Sequence, residues 1–218
     1  MLNWNKINTV FLDMDGTLLD LNFDNHFWLE FVPQRYAELN QMTFTDANAK
    51  LVPLFKSMEG KLEWYCLDYW SEQLNLDIAG LKAEIAGLIK VLPHVSEFLI
   101  ALQPVDKQVF LVTNAHADSL SLKMEKTCLQ PFFDHIICAH DLGFAKEQQQ
   151  FWQALQKQYD WDKQSTVMID DSLAVLRAAQ RFGIGELISI NKPDSQKASK
   201  SIREFTAITD FRELMPIE

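Results

Sequence analysis

The sequence predicts an α/β fold in which a doubly wound parallel sheet carries an inserted all-helical cap. Five short runs rich in β-branched and aromatic residues have the composition of buried strands, at residues 8–13, 108–113, 135–139, 165–170 and 186–190. Helical patterns separate most of these runs, and such alternation is typical of a Rossmann-like parallel sheet with helices on both faces. We therefore expect a ligand site at the carboxyl ends of the strands.

The segments between these strands hold the expected core helices. Apolar periodicity predicts helices at residues 96–102, before the second run, at 119–124, after it, and at 148–159, between the third and fourth runs. The polar stretch 191–200 is expected to be a surface loop, since it contains a Pro-Asp-Ser sequence with turn chemistry.

Residues 22–90 break the alternation with several helical patterns in succession and hardly any strand signal. We interpret them as the cap, which leaves residues 1–21 and 91–218 as the core domain. Within the cap, Thr45 is expected to begin a helix that runs to Met58. Three prolines are expected to punctuate the insertion: Pro33, Pro53 and Pro93.

The composition indicates a folded protein and argues against a long polyanion as its partner. The chain has 218 residues, of which 48% are hydrophobic, enough for one full core and a smaller accessory domain. A formal net charge of −10 works against binding a nucleic acid polymer or a membrane surface. No signal peptide or transmembrane segment is expected. The cysteines Cys66, Cys128 and Cys138 lack metal-ligand spacing and fit reduced core residues of a cytoplasmic protein.

The most informative segment follows the first predicted strand, where Asp13 and Asp15 precede Gly16. Residues two apart share one face of a strand, so both carboxylates can converge on one point while Met14 turns away. Carboxylates this close repel each other unless a hard cation lies between them or one keeps its proton. The arrangement suits magnesium-assisted phosphoryl transfer.

Three further segments place polar side chains at strand ends or at the start of a helix. Thr113 and Asn114 close one apolar strand, Lys146 lies where a loop enters a helix, and Asp170 and Asp171 close another strand. Hydroxyl and amide groups can hydrogen-bond phosphoryl oxygens, and a lysine can place its ammonium against a phosphate. All three segments therefore fit the same chemistry.

The four segments together resemble, in order, the signatures of the haloacid dehalogenase-like hydrolases, most of which are aspartate-nucleophile phosphatases. The string DMDGTLLD at residues 13–20 is similar to the first signature. The resemblance spans nearly the whole chain and is strongest for one subgroup, the purine 5′-nucleotidases that act on GMP and IMP. The stretches that carry this closer likeness are WYCLDYW, TNAHADSL, GFAKE, IDDS and NKPDS.

The resemblance implies a role for each side chain. Asp13 would attack phosphorus and form an aspartyl-phosphate, while Asp15 would protonate the leaving alcohol and later take a proton from the attacking water. Thr113 would bind phosphoryl oxygens, Asn114 would orient the nucleophile or the phosphate, and Lys146 would neutralise charge.

Mg²⁺ is the implied cofactor, since it takes oxygen ligands and keeps several waters. Asp13 and Asp171 are the expected side-chain ligands, Asp15 would contribute its backbone carbonyl, and Asp170 would bind directly or through water. Counting these acids against Mg²⁺ and Lys146 leaves one negative charge in excess, so we expect one carboxyl to keep its proton and assign it to Asp15.

Two positions depart from the common family pattern. Val175 stands where the fourth signature often has an acid, and the Asp170-Asp171 pair is expected to compensate. Glu147 replaces the proline that frequently follows the lysine, which leaves the geometry of that loop open.

The cap is expected to select the substrate, because the core supplies nearly generic phosphate chemistry. Glu59 and Trp64 belong to a segment of charges and aromatic rings that could bind a flat heterocycle by stacking and edge hydrogen bonds. Trp64 and Trp70 at helical spacing are also typical of core residues, and both interpretations stay open. By resemblance, His116 is a secondary candidate near the pocket.

The predicted function is that of a magnesium-dependent phosphomonoester hydrolase, a 5′-nucleotidase whose partner is a small-molecule purine nucleoside monophosphate. One alternative is a phosphatase of the same family for small sugar phosphates or other metabolites. A dehalogenase would use the same nucleophile without magnesium, and the complete set of acids argues against it. More distant alternatives are a non-catalytic nucleotide-binding protein and a phospho-receiver, although a receiver has no reason to carry so long an insertion.

Overall fold

The computed structural model describes residues 2–217, with a fully parallel sheet at its centre. The strands are β1 (Thr9–Leu12), β2 (Gln108–Thr113), β3 (His135–Cys138), β4 (Thr166–Asp170), β5 (Glu186–Ile190) and β6 (Thr206–Ile208). Their order across the sheet is β3-β2-β1-β4-β5-β6, so β1 lies between β2 and β4. The carboxyl ends of these three central strands therefore meet at one edge.

Each of the five predicted strand segments contains a strand of the sheet. β6 is an additional strand, of three residues, which pairs with β5 at the outer edge. Its sequence Thr-Ala-Ile is too short and too mixed to stand out as an apolar run, so it forms because β5 offers a free edge to pair with.

The helices lie between or after the strands in the order expected of a doubly wound sheet. They are α1 (Asn22–His26), α2 (Val32–Leu39), α3 (Phe44–Met58), α4 (Leu62–Tyr65), α5 (Leu67–Leu74), α6 (Ile78–Glu84), α7 (Val95–Leu102), α8 (Ala117–Thr127), α9 (Ala139–Leu142), α10 (Gln149–Gln158) and α11 (Leu173–Phe182). The predicted core helices correspond to α7, α8 and α10.

Both faces of the sheet carry an apolar core, as the alternation of side chains along β1 requires. Val10 and Leu12 point to one face and pack in the cluster that includes Phe98 of α7. Phe11 points to the other face, where it packs against Trp152 of α10 with ring centroids 6.5 Å apart. Burial on both faces is what makes these strands continuous apolar runs in the sequence.

Helices α1 to α6 pack around a third apolar cluster of their own. Its aromatic centre is Trp70, which is fully buried and lies edge-on to Phe55 with ring centroids 5.0 Å apart. Trp64 packs beside it, at 6.0 Å. A helical unit with its own core is the arrangement expected of an inserted cap.

The start of α3 differs by two residues from the prediction. Thr43, not Thr45, is the N-cap: its Oγ1 accepts a hydrogen bond from the backbone N–H of Asp46 at 3.1 Å. Thr45 is the second residue of α3, and the helix ends at Met58 as expected. Both threonines precede helix-forming residues, so sequence alone did not distinguish them.

Two prolines predicted to punctuate the insertion lie inside helices. Pro33 is the second residue of α2, directly after a π-helical turn at Phe27–Phe31, whose wider ladder accommodates a residue without an N–H. Pro53 lies within α3 on the exposed side. The carbonyl that loses its donor there belongs to Ala49, which is also exposed and can bond to water.

The predicted surface loop 191–200 is only partly at the surface. Pro193 and Asp194 are buried against the start of the helical insertion. The backbone N–H of Leu21 donates to the carbonyl of Pro193 at 2.9 Å, and Nδ2 of Asn25 donates to Oδ2 of Asp194 at 2.6 Å. Some polar groups of this segment therefore form hydrogen bonds within the protein, while residues 195–200 are exposed to solvent.

All three cysteines are free thiols, and their burial differs from the prediction. Cys138 is buried in β3 and Cys66 is half-buried, but Cys128 is exposed. Cys128 ends α8 in the left-handed region at φ 55°, a capping position that turns its side chain away from the core. Among residues 2–217, no helix combines the length and apolar character needed to cross a membrane.

Candidate active site

Lys146 lies at the centre of a polar cluster at the carboxyl edge of the sheet. Its Nζ donates hydrogen bonds to Oδ1 of Asp13 at 2.6 Å, to Oδ2 of Asp170 at 2.8 Å and to the carbonyl of Val112 at 2.9 Å. Burial alone would lower the pKa of Lys146, but the charges of the two carboxylates outweigh burial and raise it. The ammonium thus stays protonated between the ends of β1, β2 and β4.

Three carboxyl groups form the part of this cluster that could hold a metal ion. Asp13, Asp170 and Asp171 each offer an oxygen, and these oxygens lie within 4.8 Å of one another. Burial, together with the charges of neighbouring carboxylates, raises the pKa of Asp13 and of Asp171 to about 7 and that of Asp170 to about 6. A hard divalent cation would relieve that repulsion, so the residues present fit Mg²⁺.

Gly16 allows the loop after β1 to approach the metal-ligand candidates. Its φ of +86° lies in the left-handed region, and a Cβ at this position would lie 2.7 Å from Cγ of Asp171 and 2.8 Å from its Oδ2. The backbone N–H of Gly16 donates to the carbonyl of Leu19 at 2.8 Å, which closes the turn. A glycine is therefore required here for both conformation and space.

We expect Gly16→Ala to lower the free energy of unfolding by more than about 2 kcal/mol, because it combines left-handed strain with a collision at Asp171. It should also weaken Mg²⁺ binding, seen as a smaller rise in melting temperature when Mg²⁺ is added. Gly60→Ala is the matched control, since Gly60 has φ +79° but nothing within 4 Å of the added Cβ. Equal effects of both substitutions on the Mg²⁺ response would contradict this prediction.

Thr113 and Asn114 lie at the end of β2 beside Lys146. Thr113 is buried, and its Oγ1 accepts a hydrogen bond from the backbone N–H of Ala115 at 3.0 Å. Asn114 is held on both sides: its Oδ1 accepts from the backbone N–H of Lys146 at 2.9 Å, and its Nδ2 donates to Oε2 of Glu147 at 3.0 Å. These bonds fix both side chains before any substrate arrives.

Glu147, which replaces the common proline, links the core to the helical insertion. The hydroxyl of Tyr65 in α4 donates to Oε1 of Glu147 at 2.7 Å, while Oε2 accepts from Asn114. Burial and the charge of Glu147 raise the pKa of Tyr65 well above its ordinary value, so the phenol keeps its proton. The departure from the family pattern thus supplies a contact between the two parts of the chain.

Sequence reasoning missed a buried ion cluster on the other side of Asp15. Nζ of Lys123 in α8 donates to Oδ1 of Asp15 at 2.6 Å and to Oδ2 of Asp24 at 2.7 Å. Nζ of Lys82 in α6 donates to the other oxygen of Asp24 at 2.6 Å. A signal was present, because Lys123 follows Leu120 by three residues and precedes Met124, on the apolar side of its helix.

Asp15, to which the sequence analysis assigned a proton, is one of several carboxyl groups whose pKa is raised. Burial raises the pKa of Asp15 despite the opposing charge of Lys123, in the predicted direction. The count that singled out Asp15 omitted Lys123 and its partners, and the pKa values of Asp13 and Asp171 are raised as well. The tendency to bind a proton is therefore shared among the carboxyl groups and does not belong to Asp15 alone.

A cavity of about 420 Å³ separates the polar cluster from the helical insertion. The catalytic candidates line its floor, and the other sequence-predicted site residues line it too: Asn114, His116, Glu59 and Trp64. Trp70 is fully buried and does not line it, so the core interpretation holds for Trp70. For Trp64 both interpretations stay open, because its side chain borders the cavity and also packs on Trp70.

His116 is placed at the rim by its position as N-cap of α8. Its Nδ1 accepts a hydrogen bond from the backbone N–H of Asp118 at 3.4 Å, and its Nε2 lies 3.7 Å from Oδ2 of Asp68 in α5. The residue therefore lies where α8 of the core faces the helical insertion.

Residues 7–183 match the sequence model of a family described as haloacid dehalogenase-like hydrolase. The chain belongs to this family. The predictions of a hydrolase and of its family are thereby confirmed, and the signatures that carried the resemblance are the segments that meet at the carboxyl edge of the sheet.

Individual relatives agree with this assignment. The chain is 39% identical over 213 residues to the GMP/IMP nucleotidase YrfG of Escherichia coli strain K12, covering 98% of this chain and 96% of that protein. It is 23% identical over 179 residues to the pyrimidine 5′-nucleotidase YjjG of the same strain, covering 77% and 78%. The crystal structure of a HAD phosphatase from Thermococcus onnurineus has a TM-score of 0.76 at 20% identity, covering 95% of both chains, and confirms the fold.

Proposed function

We propose that this protein is a magnesium-dependent phosphomonoester hydrolase, a 5′-nucleotidase that dephosphorylates purine nucleoside monophosphates. The observation that carries the proposal is the position of Asp13. It lies beside Lys146 and two further carboxylates on the floor of a cavity whose other wall is helical and aromatic. We place the catalytic core at residues 1–21 and 91–218 and the cap at 22–90, and we expect the protein to work in the cytoplasm.

Asp13 is the nucleophile of this proposal. Oδ1 is held by Lys146, so Oδ2 is the oxygen available to attack phosphorus as the bond to the leaving oxygen breaks. Water then cleaves the resulting aspartyl-phosphate and releases inorganic phosphate. When bound by Asp13, Asp170 and Asp171, with the backbone carbonyl of Asp15, Mg²⁺ neutralises negative charge on the phosphoryl group.

Asp15 is the general acid and base. It transfers a proton to the leaving alcohol oxygen and later accepts one from the attacking water. Thr113 and Asn114 donate hydrogen bonds to phosphoryl oxygens or orient the phosphate from the end of β2. Lys146 keeps its charge throughout, because the carboxylates around it raise its pKa. All of these side chains line the cavity.

The cap supplies groups suited to a 6-oxopurine. Trp28, Phe55 and Trp64 give the cavity wall aromatic faces on which a base can stack. The carboxylate of Glu59 can accept a hydrogen bond from N1–H, which guanine and hypoxanthine carry and adenine lacks, and Lys56 can donate to O6. This chemistry agrees with the likeness to a GMP/IMP nucleotidase over nearly the whole chain.

The test is phosphate release from GMP, IMP, AMP, CMP, UMP and glucose 6-phosphate with and without Mg²⁺. We expect GMP and IMP to give the highest kcat/KM and EDTA to abolish release. An Asp13→Asn preparation measures any contaminating phosphatase. A preference for glucose 6-phosphate would replace the nucleotide by a sugar phosphate and leave the mechanism intact, whereas no release from any substrate would overturn the proposal.

A further inference from the structure

We propose that Lys123 is a positioning residue for Asp15 and that it connects Asp15 to the helical cap through Asp24 and Lys82. The inference rests on the proposed function only in that Asp15 acts as the proton donor. It assigns a role in the reaction to two buried lysines and one partly buried carboxylate that lie outside the four signature segments. The connection runs Asp15, Lys123, Asp24, Lys82.

The geometry of the connection is that of a single chain of charge-assisted hydrogen bonds. Lys123 and Lys82 are the charged donors, and each contact lies between 2.6 and 2.7 Å, the short range of hydrogen bonds with an ionised donor. Lys123 is 1% exposed and Lys82 is 3% exposed. No solvent can therefore substitute for either ammonium without opening the structure.

The two halves of the chain belong to different parts of the protein. Asp15 and Lys123 come from the loop after β1 and from α8, whereas Asp24 and Lys82 come from α1 and α6 of the cap. Within each half, one cation is paired with one carboxylate. Moving the cap away would separate the Lys123–Asp24 contact of this connection and would leave each ammonium hydrogen-bonded to one carboxyl group, Lys123 to Asp15 and Lys82 to Asp24.

Aromatic rings hold the cap half in place. Nζ of Lys82 lies 4.9 Å from the ring centre of Phe23 and 4.8 Å from that of Phe27, within the range of cation–π attraction. Nζ of Lys123 also lies 5.3 Å from the ring centre of Phe23. Both ammonium groups thus share one aromatic residue at the junction of cap and core.

The consequence for Asp15 is orientation. Lys123 occupies Oδ1, so Oδ2 is the oxygen left to face the substrate, and Asp15 lines the cavity. Asp24 holds the ammonium of Lys123 from the far side when the cap is in contact with the core. The proton donor therefore takes its working orientation in the same arrangement that closes the cavity, which limits proton transfer to a site shielded from water.

Leaving-group dependence separates positioning from a merely structural role. An acidic p-nitrophenol departs as the anion without needing a proton, whereas the 5′-hydroxyl of a nucleoside requires one. We compare kcat/KM for p-nitrophenyl phosphate and for the best nucleotide, since kcat/KM covers the steps up to loss of the leaving group. We expect Lys123→Met to lower the value for the nucleotide about 10²- to 10³-fold and that for p-nitrophenyl phosphate less than about tenfold.

Lys126→Met is the matched control, because Lys126 lies on the same helix three residues later and is exposed. It should leave both substrates unchanged. Asp24→Asn keeps Lys123 beside Asp15 but weakens the link to the cap, and it should show the same leaving-group difference to a smaller extent. Asp24→Asn carries the test if Lys123→Met fails to fold.

Equal losses for both substrates would overturn the inference, as would no loss for either. These outcomes differ from failure of the proposed function, in which the unmodified protein would release phosphate from no phosphomonoester. If the best substrate is an alkyl phosphate other than a nucleotide, the same comparison applies, because any aliphatic alcohol needs the proton.

Discussion

Asp13→Asn is expected to lower kcat for phosphate release by at least about 10⁴-fold, because the amide that replaces the Asp13 carboxylate cannot form the acyl-phosphate. The substitution keeps the size and shape of the side chain at a position that is 6% exposed. The amide oxygen can still accept from Nζ of Lys146, which retains Asp170 as its anionic partner. The loss should therefore be confined to chemistry and to the metal, and steady-state phosphate release measures it.

Two further measurements make the result decisive. The melting temperature in EDTA should not fall, since burial raises the pKa of Asp13 and so disfavours the charged form of this carboxyl group. Asp160→Asn is the matched control, with an exposed carboxyl remote from the cluster, and should be fully active. If Asp13→Asn retained more than about 1% of the activity with an unchanged substrate preference, another group would have to be the nucleophile.

The fold was predictable from the sequence because its strands are buried on both faces. Phe11 and its neighbours in β1 leave no polar alternation, so the strand appears as one apolar run ended by carboxylates. β6 was not predicted, because three residues are too few to show a pattern. The N-cap of α3 was misplaced because Thr43 and Thr45 are both residues that can cap a helix. The local sequence therefore predicts which helices and strands form better than it predicts the residues at which they begin and end.

Some residues of the candidate site were likewise predictable from the sequence, and others were not. Asp13, Thr113 and Asp170 each stand at or next to a strand end in the sequence, so parallel topology alone brings them together. Lys146 joins them from the loop between α9 and α10. Lys123 lies in the middle of α8, and its partners depend on how α8 packs against the helical insertion. Such a contact is set by tertiary packing between distant segments, which no local pattern encodes. Only the charge on the apolar side of the helix marked Lys123 in advance.

Glu147 shows how a departure from a family pattern acquires meaning from structure. In the sequence it signified only the loss of a proline after Lys146. In the fold its two oxygens accept hydrogen bonds from Tyr65 of α4 and Asn114 of β2's end, so it orients a phosphate-binding candidate and contacts the insertion at once. The hydrogen bond from Lys123 to Asp24 is a second polar contact between the core and the insertion.

Lys146→Met is expected to abolish activity and to destabilise the metal-free protein by roughly 3–5 kcal/mol at pH 8, the range for removing one partner of a buried ion pair. Asp13 and Asp170 would keep their buried charges with no cation between them. For a chain of this size the melting temperature should fall by roughly 10 °C. Thermal unfolding in EDTA measures the loss, and Lys157→Met, at an exposed position of α10, is the matched control.

The loss should shrink as the pH falls from 8 to about 5. In the unmodified protein the pKa of Asp13 is about 7 and that of Asp170 about 6, both above their ordinary value, so each group contributes stability that is lost as the pH rises through those values. Without Lys146 both pKa values rise further, and protonation at low pH removes the uncompensated charges. A deficit that stayed constant across this range would mean that Lys146 stabilises the fold by packing and not by neutralising carboxylates.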